Sequence, residues 1–311
     1  TYPSVLGGSA PKTNSGNFNT KGWECVLGWR DSKGGFDYNF SFNMSNTKTL
    51  VSGVEGADNY GAGRNGIVND YPWQPIFVYK TDGYFKNQAE VDDYYAKYGN
   101  SDNLGNLPQS NQAVALRPGD TKKVDVAETG NITGVGNENS SLVYAGDGTP
   151  HYTFGINMGA GWKGFDFNAF FQGQLKQNIM RSGYMAYPFA ALYTNQNPQF
   201  LGKTWTEDYQ DALFPRLTVN PTRANWNYVN NDFMLQNNRY VRLKTLILGY
   251  TLPKHISYKA KLEKIRVYFS GNDLWETTSI KDGFDPEMGE ASINSGYPFA
   301  MTWSFGVNLG F

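Results

Sequence analysis

The sequence is 311 residues long, with 16% aromatic side chains, 35 glycines, only 18% charged residues and a formal net charge of -1. A balance this close to neutral lacks the clustered excess of Lys and Arg that marks a nucleic-acid footprint, and no run of eighteen apolar residues is present to form a membrane-spanning helix. A membrane β-barrel is not excluded, because its strands need only about 9 to 11 residues with every second one apolar.

The chain opens on TYPSVLGGSAPKTNSGN, with no initiator Met or signal-like segment; this reads as the middle of a loop, and hence as a fragment or a processed chain. The first expected strand, near 20-30, carries Trp23, Cys25, Leu27 and Trp29 on one face. Cys25 is the only cysteine, so no intrachain disulfide or Cys/His zinc pattern exists, and a buried small hydrophobe is expected there. A glycine turn, DSKGG, leads into a strand near 36-45 that sets Phe36, Tyr38, Phe40, Phe42 and Met44 against Asp37, Asn39, Ser41, Asn43 and Ser45. Strands near 151-162 and 165-178, joined by Lys163-Gly164, repeat the pattern with Tyr152, Phe154, Ile156, Met158 and Trp162, then Phe165, Phe167, Ala169 and Phe171. Strands near 238-252 and 262-277 alternate less cleanly, since Leu246, Ile247 and Leu248 are consecutive; the connection between them, 254-261, is short. The last strand, near 298-311, alternates without a break: Phe299, Met301, Trp303, Phe305, Val307, Leu309 and Phe311 oppose Ala300, Thr302, Ser304, Gly306, Asn308 and Gly310.

Between these hairpins lie long connections, 46-150, 179-237 and 279-296, so short turns at one end alternate with long loops at the other, the asymmetry of outer-membrane barrels. The loops are rich in Tyr, Trp and Phe, and NQAEVDDYYAKYG reads as a helix, so they are expected to fold over one another. A soluble sheet would show Lys, Glu and Thr on its second face. Here that face is Asn, Ser, Gly, Gln and Thr, and large aromatics (Trp23, Trp29, Trp162, Phe165, Trp275, Phe299) cluster near strand ends, as in membrane-interface girdles. The reading is an all-β, antiparallel transmembrane barrel; the alternative is a soluble or surface β-rich glycan-binding module.

Six ordered stretches carry a resemblance: NSGNFNTKGWECVLGWRD, FVYKTDGYFKNQAEV, GTPHYTFGINMGAGWKGFDFNAFFQG, NNRYVRLKTLILGYTLPK, IRVYFSGNDLWETTSIKDGFDPE and YPFAMTWSFGVNLGF. In this order and spacing they resemble the C-terminal part of SusC/RagA-family TonB-dependent transporters of Bacteroidetes outer membranes, over nearly the whole of residues 1-311. The resemblance implies a barrel of about 22 strands, of which this chain would give the last seven. It also implies import of an oligosaccharide or peptide, a SusD-like surface lipoprotein as lid, and energy from the TonB-ExbB-ExbD system acting through a plug that this chain does not contain. The location implied is the outer membrane of a Gram-negative bacterium, with the C-terminus periplasmic. An open sheet in lipid leaves unpaired backbone groups at its edges, so the remaining strands are expected from another chain or from a part of the protein outside this sequence.

Candidate site residues follow from the loops. Trp73, Tyr84, Trp205, Tyr209, Trp226 and Tyr228 are flat rings in segments expected to face outside; they would hold sugar faces and hydroxyls, or else pack the loops and the lipoprotein lid. Phe311, an aromatic closing an alternating strand, resembles the signal read by the barrel-assembly machinery and is equally the last lipid-facing residue. The family's calcium-like loop pattern corresponds to GDTKKVDVAETGNIT, where Asp120 and Asp125 persist but the core is Ala127-Glu128-Thr129-Gly130. No cofactor is therefore expected, and Asp125 reads as a turn-stabilising residue. The pairs Asp92-Asp93 and Glu207-Asp208 lie in helix-like segments as solvated surface, and Asp273, Asp285 and Glu287 are expected to fix turns. Two histidines, His151 and His255, and no nucleophile beside a base argue against an enzyme.

Overall fold

Seven strands pair strictly in chain order into one antiparallel meander in the computed structural model, which describes residues 7, 14-99, 107-108, 113-136, 140-183, 186-190, 196-289 and 299-311. The opening segment apart from Gly7, parts of both long loops and the stretch 290-298 lie outside the described residues. The strands are β1 (Asn17–Lys33), β2 (Phe36–Ser52), β3 (His151–Trp162), β4 (Phe165–Lys176), β5 (Tyr240–Thr251), β6 (Lys264–Thr278) and β7 (Thr302–Gly310). Among the described residues no helix is long and apolar enough to cross a membrane.

Register aligns apolar residues from strand to strand in rows on one face of the sheet. Leu27 lies opposite Phe42, Phe42 opposite Ile156, and Ile156 opposite Phe171. Phe171 faces Leu243, which faces Trp275, and one layer further along Leu248, Phe269 and Phe305 are aligned. Directly opposed residues share a face, so every apolar file foreseen in the sequence lies on the same side. Its side chains are exposed: Trp29 at 63%, Phe165 at 60%, Phe305 at 75%. Cys25 belongs to this file and is exposed, not buried, because the side it points to is covered by no other layer.

The opposite face is polar and closely spaced. Asn43 and Asn39 reach over Gly155 and Gly159, where an added Cβ would meet their amides at 3.0 and 2.5 Å. Arg266 and Asp166 form a two-pronged ion pair over Gly249, with N to O distances of 2.9 and 2.5 Å.

Several strands outrun the hydrophobic alternation. The strand expected over 20-30 runs from Asn17 to Lys33, and its partner continues to Ser52 through paired polar residues such as Thr20 and Thr49, whose hydroxyls are 2.8 Å apart. Alternation reports the apolar band, whereas the backbone ladder continues wherever two strands still face each other. The run Leu246-Ile247-Leu248 is explained by a β-bulge: pairing shifts between Leu243 and Thr245 on β5, opposite Trp275 and Asn272, and Asp273 takes φ 54°. The extra residue resets the phase, so Leu243 and Leu246 both face outward while Ile247 joins the polar side.

The long connections build a second layer at one end of the sheet. Strand pairs 63-64, 75-79 and 142-147 form a small sheet. Beside it lies α1 (Gln88–Tyr98), capped by Asn87, whose side chain accepts from the Glu90 amide at 3.0 Å. Its buried Val91, Tyr94 and Tyr98 pack with Phe77, Phe85 and Leu116 in one core. Glu207-Asp208 is not helical; the two form the tip of a tight turn closed between Thr206 and Tyr209.

Candidate functional site

The second long loop plugs into the core of the first. Helix α2 (Pro221–Tyr228) starts at Asn220, whose side chain caps the amides of Thr222 and Arg223 at 3.0 and 3.1 Å. The helix drives Trp226 into the loop core, where the indole N–H donates to the Thr121 carbonyl at 2.8 Å. Beside it the fully buried Asn227 accepts from the Thr121 amide at 2.9 Å and donates to Asp120 at 2.8 Å. Thr81 donates its amide and hydroxyl to Asp232 at 3.1 and 2.5 Å. Buried polar groups paired this fully hold two remote segments in one arrangement.

Beneath this junction a cavity of about 350 Å³ opens between residues 180-190 and 228-236. One wall is the parallel stack of Tyr187 on Tyr228, 5.4 Å between centroids. Met180 and Met234 supply apolar surface, and Asn230 and Gln236 supply amides. Arg181 also lines it, but its buried guanidinium is ion-paired with Asp282 at 2.8 Å, so the cavity carries little free charge. Burial pushes the Tyr187 phenol above its ordinary range, so it is a neutral donor and acceptor. A slot of this size suits one flat or apolar group with hydrogen-bonding edges; among the described residues no nucleophile stands beside a base in its lining.

A charge network ties the third loop to the sheet. Arg242 on β5 binds Glu276, Asp285 at 2.5 Å and Glu287 at 3.2 Å, and Lys244 binds Asp273 at 2.7 Å and Glu287 at 3.1 Å. Asp285 also caps its own turn by accepting from the Glu287 amide at 2.8 Å, the role expected for it. Asp273 does something else: it sits at the bulge as the partner of Lys244.

The six loop aromatics separate into two sets. Trp205 and Trp226 are 2% and 1% exposed, so they are interior packing residues with no ring face to offer a ligand. Tyr228 is equally buried but borders the cavity, its hydroxyl donating to the Pro215 carbonyl at 3.3 Å. Tyr84 donates to the Leu213 carbonyl at 2.7 Å and bridges the two loops. Trp73 stacks near Phe18, 5.5 Å away, at the loop end of β1, and Tyr209 is exposed at its turn. The two aspartates of the calcium-like stretch each accept hydrogen bonds from the protein itself. Asp120 is buried and accepts from the Arg117 amide at 2.9 Å and from Asn227, and burial raises its carboxyl above the ordinary range. Asp125 accepts from the Gly130 amide at 2.7 Å and holds that turn. Among the described residues no group of three or more His, Cys, Asp or Glu comes together. Tyr187, Asn230 and Gln236 carried no signal in the sequence, because only the joining of two distant segments makes them neighbours.

No family model matches the chain. It is 25% identical over 325 residues to TonB-dependent receptor P3 of Formosa agariphila, covering 99% of this chain and 30% of that receptor. It is 23% identical over 339 residues to TonB-dependent receptor P26 of the same organism, covering 100% and 31%. Among solved structures it aligns with the RagAB peptide transporter at TM-score 0.67 and 21% identity, covering 99% of this chain and 31% of that one. The RagAB peptide importer in the open-open state aligns at TM-score 0.68 and 19% identity, covering 99% and 30%. The chain is similar along its whole length to TonB-dependent receptors and shares its fold with part of the RagAB transporter. It spans about 30% of the length of the curated relatives it matches. The two-faced meander is accordingly part of an antiparallel β-barrel wall, not a soluble sandwich. These matched proteins are named as receptors, a transporter and an importer, not as enzymes.

Proposed function

We propose that the protein carrying this chain is an outer-membrane importer driven by the TonB-ExbB-ExbD system, and that this chain forms part of its barrel wall and outer loops. One observation carries the reading: exposed apolar side chains line the same face of all seven strands, on a chain that aligns over its length with TonB-dependent receptors. Side chains of that size exposed in water would be an aggregation hazard, whereas in lipid they are solvated. The edges at β1 and β7 need partner strands in lipid, supplied by barrel segments outside this chain. The short-turn end, with Phe311, faces the periplasm; Phe311 serves as the assembly signal as well as the last lipid contact.

The folded loops face outward, where a SusD-like lipoprotein closes over them. The exposed rings of Trp73 and Tyr209 and the bridging Tyr84 belong to that contact surface. The cavity beside Tyr228 and Tyr187 takes a side group of the cargo, an oligosaccharide or a peptide. That the aligned solved structures are a peptide transporter and importer favours peptide as the first cargo to test. No metal is assigned, since Asp120 and Asp125 are occupied by backbone and side-chain donors.

The test is uptake by cells that carry or lack the gene, supplied with labelled peptide mixtures or oligosaccharides, with and without collapse of the proton gradient. Energy-dependent uptake lost with the gene is the expected result. Uptake that survives collapse of the gradient would point instead to a passive pore. Purified protein that stays soluble without detergent would return the glycan-binding module to first place.

A further inference from the structure

We infer that the turn between β5 and β6, together with the outward groove above it, binds an anionic phospholipid of the periplasmic leaflet; the inference rests on the membrane reading above. The other two hairpin turns at this end are minimal, Gly34-Gly35 and Lys163-Gly164. This one is longer and built: helix α3 (Lys254–Ser257) leads into a 3-10 turn at 258-260, and Lys261 reverses the chain with φ 57°. Ser257 is buried and its hydroxyl donates to the Lys254 or Glu263 carbonyl, at 3.2 and 3.3 Å, while the Glu263 amide donates to Gly310 on β7 at 2.9 Å. A turn so fixed presents its side chains in set positions.

Those side chains are basic and amphipathic. Lys254, Lys259 and Lys261 are all exposed, against one acid, Glu263, and among the described residues none of the three forms an ion pair. Between them Ile256 and Tyr258 are exposed at 43% and 57%. Apolar and aromatic groups set among lysines are the composition of an interfacial segment that reads anionic headgroups.

Immediately up the sheet on the outward face lies a groove of about 560 Å³ lined by Phe165, Leu248, Tyr250, Val267, Phe305 and Val307. Its long sides are ring pairs, Phe165 with Tyr250 at 4.4 Å and Phe269 with Phe305 at 5.4 Å. The turn follows directly on the strands that line it: Tyr250 and Val267 lie in the groove, and the Leu252 amide donates to the Ile265 carbonyl at 2.9 Å at the last rung before the turn. An open apolar groove beside a turn carrying unpaired ammonium groups is complementary to one acyl chain and its phosphate, which selects a phospholipid over a soluble anion.

The experiment uses the full-length protein carrying this chain, purified in detergent, shown to be heat-modifiable on gels, and titrated with dioleoylphosphatidylglycerol or dioleoylphosphatidylcholine under native mass spectrometry. The anionic lipid is expected to be retained preferentially. K254Q/K259Q/K261Q should weaken that preference by roughly tenfold while leaving phosphatidylcholine adducts unchanged. Val307→Trp, which fills the groove, should reduce both lipids with the lysines intact. Equal retention of the two lipids by the unmodified protein, an unchanged preference in the glutamine variant, or full displacement by inorganic phosphate would each overturn the lipid site. A protein that is not heat-modifiable overturns the barrel reading itself.

Discussion

Lys123→Met tests how the loop core is held together. Lys123 is 3% exposed, and its ammonium lies 3.7 Å from the centroid of Tyr79 and 4.2 Å from that of Trp226. Burial pushes it from 10.5 down to about 7, a difference of about 5 kcal/mol between charged and neutral forms. The two ring faces each return about 0.5–2 kcal/mol to the cation, leaving a net cost of about 1–4 kcal/mol for the charged state. The sign follows from proton binding: above about 7 the folded lysine is losing its proton while the unfolded one keeps it to about 10.5, so the unfolded state binds more protons. Stability of the loop unit therefore rises from pH 7 towards 10.5 and is lost as pH falls through 7. Methionine has a similar volume, keeps the apolar contacts and carries no charge. Hydrogen exchange of the full-length protein over 75-79 and 121-124, corrected for intrinsic rates, measures the opening free energy at pH 7 and 9.5. The native sequence should gain about 1–3 kcal/mol between the two, whereas the Met variant should be more protected at pH 7 and flat with pH. A variant less protected at pH 7, or native protection that does not change with pH, would refute the reasoning.

Gly119→Ala should detach the 203-217 segment, because φ there is +90° and a Cβ would stand 2.3 Å from the Trp205 ring; the strain and overpacking cost about 2–5 kcal/mol, read as faster proteolysis of that segment. Arg242→Met leaves Asp285 and Glu287 without their shared partner and should expose residues 279-289 to exchange by about 2–4 kcal/mol, with the barrel still heat-modifiable. Deleting Phe311, or Phe311→Asp, should lower the amount of assembled barrel at constant transcript; normal assembly of both variants counts against the assembly-signal role. Asn220→Ala should cost about 1 kcal/mol through loss of the α2 cap and loosen Trp226 in the same exchange assay.

How much of this was legible from residues alone varied by element. Strands with one apolar face announce themselves, since β3 from His151 to Trp162 alternates over its full length. The extensions of β1 and β2 were not legible, because polar residues beyond the apolar band pair without any hydrophobic period. The bulge at Lys244 left only the trace Leu246-Ile247-Leu248, which a buried strand would leave equally. Helix α1 could be read from its cap and composition, whereas α2, only eight residues long, is defined by Trp226 entering another loop's core.

The functional candidates show the same division. Aromatic abundance in the loops said that rings would pack or bind, and composition has no means of choosing between the two. Burial chose: Trp205 and Trp226 went inside, and the cavity formed from Tyr187, Asn230 and Gln236, which no local pattern marked. The sequence by itself determined the two faces of the sheet and the end at which its turns are short, because period-two alternation and turn chemistry act between near neighbours. Only the tertiary structure decided which loop residues meet, because contacts such as Asn227 with Asp120 join positions 107 residues apart and depend on the sheet to bring their segments together.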